Sequence, residues 1–333
     1  VERSLQCWQE SDVRGPLLGI AFKLLSTLCF TAMAATVKWL GDGAALPGRI
    51  PVGQVVFFRS FFALAPVLAW LAWRGDMGAA VRTRAIGGHV RRSMVGIGGM
   101  FCGFAGLMLL PLADATAISY AMPLVTVILA ALILKERVRI YRWTAVVIGM
   151  LGVLIAMGPH LSVTTGAVGD VSALGALLAL MGAIFAGFAT IEVRKLTRTD
   201  ATPAIVFYFS AFSSLAGALT FGLGLFDPRQ AWVLPTSPEL AALVLIGLFG
   251  GLGQITLTSA YRHAGASTVA PFEYVSMLWA VVAGYLLFSD VPEGSVLVGA
   301  AIVTASGLFV IYRERQLGLE RAAEREAQPP RSV

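Results

Sequence analysis

Long apolar blocks alternate along this chain with short polar connections. A window of about 19 residues separates ten of them, near 17–40, 52–73, 92–111, 115–134, 141–158, 172–192, 203–225, 238–260, 267–288 and 295–312. About 20 residues of helix cross the roughly 30 Å of hydrocarbon in a bilayer, so each block is long enough to span it. Lipid offers no partner for backbone N–H and C=O groups, so each block is predicted to be a helix. A strand-built barrel would show short segments of alternating polarity instead.

Composition excludes the soluble alternative. Of 333 residues, 57% are hydrophobic and only 13% charged, where a soluble domain carries about 25% charged residues. Mean hydropathy is +0.78. Residues 1–16 are polar, and the apolar run after them contains Lys23 and lacks a small-residue cleavage site, so 1–16 reads as a cytoplasmic lead into a first span. Cys7, Cys29 and Cys102 show no paired spacing, and His89, His160 and His263 fall in predicted loops or span ends with no metal-ligand spacing. No phosphate-binding glycine loop or metalloprotease motif is present, which argues against an enzyme, a cofactor and an ATP-driven pump.

The net charge of +6 would suit nucleic acid, but its distribution follows the membrane. With both termini cytoplasmic, 20 of the 25 lysines and arginines fall in cytoplasmic segments, and only Arg49 and Arg229 in the opposite loops. That is the positive-inside rule. The basic balance therefore reports topology, and nucleic-acid binding loses its support. The tail 313–333 is a solvated, mixed-charge helix by the same reading.

The second half of the chain echoes the first at an offset near 150 residues. Val37, Lys38 and Leu40 lie over Val193, Arg194 and Leu196; Phe57-Phe58-Arg59-Ser60 lies over Phe207-Tyr208-Phe209-Ser210; Ala113 to Ile118 lies over Ala264 to Val269. Five spans per half is an odd number, so the second half enters the membrane from the opposite face. The expected architecture is an all-α polytopic membrane protein with ten transmembrane helices. They form two inverted-topology repeats, 17–158 and 172–312, joined by an external linker at 159–171. Such symmetry suits two bundles that alternately open each side around one site.

Leu112-Ala113-Asp114-Ala115-Thr116-Ala117-Ile118-Ser119-Tyr120-Ala121-Met122-Pro123, Leu134-Lys135-Glu136-Arg137 and Val269-Ala270-Pro271-Phe272-Glu273-Tyr274 resemble the drug/metabolite transporter superfamily, EamA type, over nearly the whole chain. The resemblance implies a carrier in a bacterial-type inner membrane. Within it, Arg59, the His89-Val90-Arg91-Arg92 lead into the third span and the Ala-Pro-Phe-x-Tyr phrase are similar to S-adenosylmethionine uptake carriers, while other relatives export amino acids. Asp290 stands where the family often has Glu, and the charge is kept.

A full charge at bilayer depth costs about 2.5–3.5 kcal/mol on insertion scales, so such residues face a cavity or a partner. Lys23 and Lys38, near the ends of the first span, are expected to snorkel, and Glu192 to be a solvated or ion-paired cap. Arg59 and Glu273 each lie roughly 10 Å deep, separated along the axis by about 10 Å. A zwitterion spanning that gap would place its carboxylate on Arg59 and its ammonium or sulfonium near Glu273; Glu273 is also the candidate proton-coupling group. Phe58, Tyr120, Phe272, Tyr274 and Trp279 are the aromatic candidates for the wall, the two tyrosines foremost because each sits beside a helix-perturbing proline, Pro123 or Pro271. The expected partners are a small-molecule substrate, the lipid bilayer and protons as coupling ion. The function expected is secondary active transport of a small organic metabolite, amino-acid-like, zwitterionic or cationic, by alternating access. An S-adenosylmethionine uptake or exchange carrier is the alternative, and a scaffold, sensor or channel the alternative of another class.

Overall fold

A computed structural model describes residues 2–42, 50–73, 75, 77–135, 138–161, 171–197, 199–200, 202–264 and 269–327. The principal helices are α1 (Glu2–Asp42), α2 (Val52–Trp73), α3 (Ile86–Leu109), α4 (Leu112–Ser119), α5 (Ala121–Ile133), α6 (Ile140–Leu161), α7 (Val171–Leu196), α8 (Thr202–Leu219), α9 (Ser237–His263), α10 (Val275–Phe288) and α11 (Gly294–Ala327). Among the described residues, nine helical segments are long and apolar enough to cross a membrane, α4 and α5 together making one of them. The shorter apolar stretch Phe272–Phe288 is the ninth span in chain order. The protein is an all-α polytopic membrane protein, with no strand among the described residues. Most of the expected linker 159–171, Glu136 and Arg137, and the repeat positions 265–268 lie outside the described residues.

Boundaries shift where charge interrupts an apolar run. The third span begins at Ile86, six residues before the expected 92, and the fourth at Leu112 rather than 115. His89, assigned to a loop from sequence, is 1% exposed inside α3. A hydropathy average counts His89, Arg91 and Arg92 as polar, but the helix separates them by face: the Arg91 side chain is 68% exposed, while Arg92 turns inward against Phe209.

Helix pairing follows the internal repeat. The third span (α3) packs along the sixth (α7), as the eighth (α9) packs along the first (α1). The second span (α2) meets the seventh (α8), the fourth (α4) meets the ninth (α10), and the fifth (α6) meets the tenth (α11). Adding five to each member of a pair returns a pair in the same set. Direction agrees: on α1, Lys23, Thr27 and Lys38 contact Glu273, Trp279 and Asp290 in that order, so the first and ninth spans run parallel.

Tight crossings are made by residues without a side chain. A Cβ on Gly182 of α7 would stand 2.9 Å from the backbone nitrogen of Gly103 on α3. One on Gly299 of α11 would stand 2.5 Å from the Gly152 carbonyl oxygen of α6. Both crossings are backbone against backbone, the small-residue packing that drives helix association where lipid removes the hydrophobic effect. Large apolar side chains left exposed, such as Leu132, Leu286 and Leu287, face the surrounding hydrocarbon.

Gly182→Ala is expected to lower stability by about 1–3 kcal/mol, the range for overpacking a close contact. Gly158→Ala, in α6 with no heavy atom within 4 Å of the added Cβ, is expected to be neutral or slightly stabilising. Thermal melts of the two purified variants check the contrast; equal melting temperatures would show that the α3–α7 crossing yields freely.

Candidate functional site

Two spans are interrupted near the centre of the bundle, and the interruptions face each other. The fourth span is divided into α4 and α5 at Tyr120, three residues before Pro123. The ninth opens with a 3-10 turn over Ala270–Tyr274, which contains Pro271, before α10 begins. Proline has no N–H to donate, so the carbonyl of the residue four positions earlier is released from the helix ladder. The two breaks are tied by side chains. The Tyr120 hydroxyl lies 2.7 Å from Ser276 Oγ and 3.3 Å from the Tyr274 carbonyl oxygen, and the Ser276 hydroxyl donates to the Glu273 carbonyl at 2.7 Å. Tyr120 and Ser276 carry one hydroxyl proton each, and the pair shares these two protons between its own contact and the Tyr274 and Glu273 carbonyls. The Tyr120 and Tyr274 rings meet edge to face at 5.3 Å.

Beside these breaks lies a cavity of about 460 Å³ lined from α1, α3, α4, α5, α7 and the ninth span, with Thr31, Thr116, Ser119, Tyr120, Glu273 and Ser276 as its polar wall. Glu273 and Tyr274 also line a second cavity, of about 300 Å³, between α5, α6 and α11. The Glu273 side chain is 43% accessible in this setting.

The same carboxylate accepts a hydrogen bond from Lys23 Nζ. Lys23 is 1% exposed, so the expectation that it snorkels is corrected. Its ammonium is held inside the bundle by a counter-charge on the ninth span, a pairing that removes the need to reach the headgroups. Lys38 is corrected likewise: it is 5% exposed, pairs with Asp42, and lies 3.9 Å from Asp290 and 5.3 Å from the Phe288 ring. Nearby, His160 Nε2 is 2.9 Å from Asp114 Oδ2. Burial pushes the Asp290 carboxyl up; Lys38 opposes this, and Asp42 and Asp114 add to it. These groups close the end of the bundle opposite Lys23.

Arg59 is elsewhere. It lines a third cavity, of about 390 Å³, with Arg92, Phe209, Gln254 and Thr258, enclosed by α2, α3, α7, α8 and α9. None of the three cavities contains both Arg59 and Glu273. Arg92, read from sequence as a loop cation, is the residue that sequence reasoning missed; its position six residues inside a helix that begins at Ile86 is the signal. Phe58 packs on Phe57, Phe62 and Trp232 in the apolar core beside α9, and Trp279 donates to Thr27 Oγ1 at 3.3 Å. Neither they nor Phe272 line these three cavities.

Acidic groups near the arginine cavity are engaged elsewhere. Glu192 accepts from Lys195 Nζ at 2.6 Å and from Arg91 Nε at 3.4 Å, an ion-paired cap as the sequence suggested. Asp200 accepts from the Arg84 backbone N–H at 2.9 Å and from Thr199 Oγ1 at 2.7 Å, and lies 3.9 Å from His89 Nε2. Burial alone would raise the Asp200 carboxyl, but hydrogen bonds from Thr199, the Arg84 backbone and Thr83, with His89 nearby, outweigh it and hold the carboxyl below the usual range.

Comparison with known proteins gives this geometry its context. Residues 17–158 and 173–312 each match the EamA-like transporter family. The S-adenosylmethionine uptake transporter of Rickettsia conorii is 28% identical over 300 residues, covering 90% of this chain and 94% of that protein. The pseudopaline exporter of Pseudomonas aeruginosa is 29% identical, over 86% of this chain and 94% of its own. The riboflavin transporter of Rhizobium johnstonii is 28% identical, over 90% and 92%. A crystal structure superposes with a TM-score of 0.60 at 20% identity, covering 92% of this chain and 99% of its own, a likeness of fold.

Lys23 is buried while the Glu273 side chain is 43% accessible, so removing the acid strands a buried ammonium, removing the lysine leaves a carboxylate that water still reaches, and replacing both removes the mismatch. Lys23→Met and Glu273→Gln are each expected to lower the melting temperature, with Lys23→Met/Glu273→Gln recovering most of the loss; additive losses in this cycle would show the pair to be uncoupled. Asp200→Asn is expected to be destabilising at neutral pH. A depressed carboxyl stabilises the fold above its unfolded value of about 3.9 and loses that contribution as pH falls through the folded value. Melts in acid should therefore bring wild type and variant together.

Proposed function

Because the chain belongs to the EamA-like transporter family, we propose that it is a secondary active transporter of a small organic metabolite, amino-acid-like and zwitterionic or cationic, working by alternating access. On this reading it lies in the bacterial inner membrane, and both termini are cytoplasmic. One observation carries the reading: the Glu273 carboxylate, paired with buried Lys23, opens into a 460 Å³ cavity between the two halves of the chain. Lys23 satisfies Glu273 in the structure. An ammonium or sulfonium entering the cavity competes for the same carboxylate, with Tyr120, Thr31 and Thr116 on the surrounding wall. A proton taken up by Glu273 releases Lys23 in the same way, so one group serves both binding and coupling.

A second reading within this class is uptake or exchange of S-adenosylmethionine, the solute in the name of the Rickettsia relatives. A sulfonium suits a carboxylate beside an aromatic hydroxyl, and a cavity of this size takes a nucleoside-like body. In proteoliposomes, wild-type protein is expected to show saturable countertransport of labelled S-adenosylmethionine or of an amino acid from a screened panel. Lys23→Met/Glu273→Gln should lose flux driven by a pH gradient and retain exchange with a raised KM. Undiminished gradient-driven flux in that variant removes Glu273 from coupling, and non-saturable flux in wild type identifies a channel.

A further inference from the structure

The 390 Å³ cavity holds two arginines and no acid among the residues that line it. Arg59 Nε, Arg92 Nε and Arg92 Nη1 are buried and lack a hydrogen-bond partner. Both guanidinium groups gather on one ring: the Phe209 centroid lies 3.5 Å from Arg92 Cζ and 5.9 Å from Arg59 Cζ. Space for them is provided by glycines. A Cβ on Gly96 would stand 2.5 Å from Arg92 Nη1, and one on Gly250 would stand 3.4 Å from Arg59 Nε.

Arginine does not give up its proton in a protein, so this is a site with two fixed positive charges and idle donors in a water-poor wall. Like charges repel there, and a buried donor without a partner costs free energy comparable to a lost charged hydrogen bond. Asp200 and Glu192, the nearby described acids, are engaged by Arg84, Thr199, Lys195 and Arg91. The missing component is an anion with a planar oxyanion face, which the guanidinium fork matches with two parallel hydrogen bonds. Val67, Ile205, Val206 and Leu257 supply an apolar wall for an organic body attached to it.

This cavity and the central one come near each other at Gly250: Arg59 Nε and Met33 Sδ lie 3.4 and 3.2 Å from its Cβ position, and Met33, a flexible side chain, lines the Glu273 cavity. We propose that Arg59 and Arg92 together form an oxyanion subsite that takes the carboxylate of the carried solute, on the pathway between the central cavity and the face that bears the α7–α8 connection. This rests on the carrier reading and narrows its solute class to carboxylate-bearing molecules.

The test uses the purified full-length protein in detergent, with benzoate as probe and uncharged benzamide at matched ionic strength as control. Benzoate is expected to raise the melting temperature of wild type above the benzamide value. In Arg92→Lys, which keeps the charge and removes the fork, the apparent affinity read from the same titration should weaken by about tenfold or more. Arg59→Lys serves as the second variant if Arg92→Lys does not fold. Lys23→Met/Glu273→Gln should keep the benzoate response. Absence of a benzoate response in wild type, or a response undiminished from wild type in both lysine variants, overturns the proposal. So does a rise that depends on Arg92 with phosphatidylglycerol in the micelle and not with benzoate, which assigns the site to a lipid phosphate. Failure of the carrier reading looks different: the benzoate response is intact and proteoliposomes show no flux.

Discussion

A bilayer offers no water to an open backbone, and that constraint decides where this fold is allowed to be irregular. Each unsatisfied peptide group in hydrocarbon costs several kcal/mol, so a broken helix is tolerated only against protein or a wet cavity. Two spans break here, at Tyr120 and over Ala270–Tyr274, and they stand opposite each other between the halves of the chain. Tyr120 donates into the other break, Ser276 satisfies the Glu273 carbonyl, and the cavity takes what remains. The site is thus a consequence of the breaks, since irregular backbone near the centre requires a polar, enclosed space around it.

Charge inside the bundle obeys the same accounting, with one exception. Lys23 and Lys38 are both buried, and both have a carboxylate on the ninth span within reach, Glu273 and Asp290. Arg59 and Arg92 are half-buried, and their buried nitrogens Arg59 Nε, Arg92 Nε and Arg92 Nη1 have no hydrogen-bond partner. A protein that neutralises two cations with acids and leaves two others bare has arranged the difference through specific residues, including the glycines that make room for the guanidinium groups.

The ten spans were legible because hydrophobic length is a local property of the chain, and the family's two matched segments and the helix pairing agree with the repeat read from weak identities. The tyrosines at the breaks were legible because proline chemistry marks them. Glu192 is the ion-paired cap expected of it, but for Lys23, Lys38 and Arg92 the direction in which a charged side chain turns was not legible. Lys23 looked like a snorkelling residue because its partner is 250 positions away. Arg92 looked like a loop residue because an average over Arg91 and Arg92 hides that one faces outward and the other packs on Phe209. Arg59 and Glu273 were joined by depth alone, and depth does not say which cavity a residue lines. Phe58 was an aromatic near a charge, and the structure uses it to pack Trp232.

On the proposed reading, the parallel seam between the first and ninth spans is where a solute would act on the carrier's shape. Lys23–Glu273, Thr27–Trp279 and Lys38–Asp290 lie in order along it, and the outer two are separated by 15 residues of α1, about 22 Å at 1.5 Å per residue. The two ends therefore share no direct contact. A cationic group that binds Glu273 competes with Lys23 and weakens one end of the seam, while Lys38, Asp42 and Asp290 still hold the other. A ligand shifts an equilibrium only by its differential affinity for the two states. In the proposed mechanism Lys23 supplies that difference: a state with Lys23 withdrawn would offer a free carboxylate to the solute, and the state with Lys23 paired to Glu273 does not.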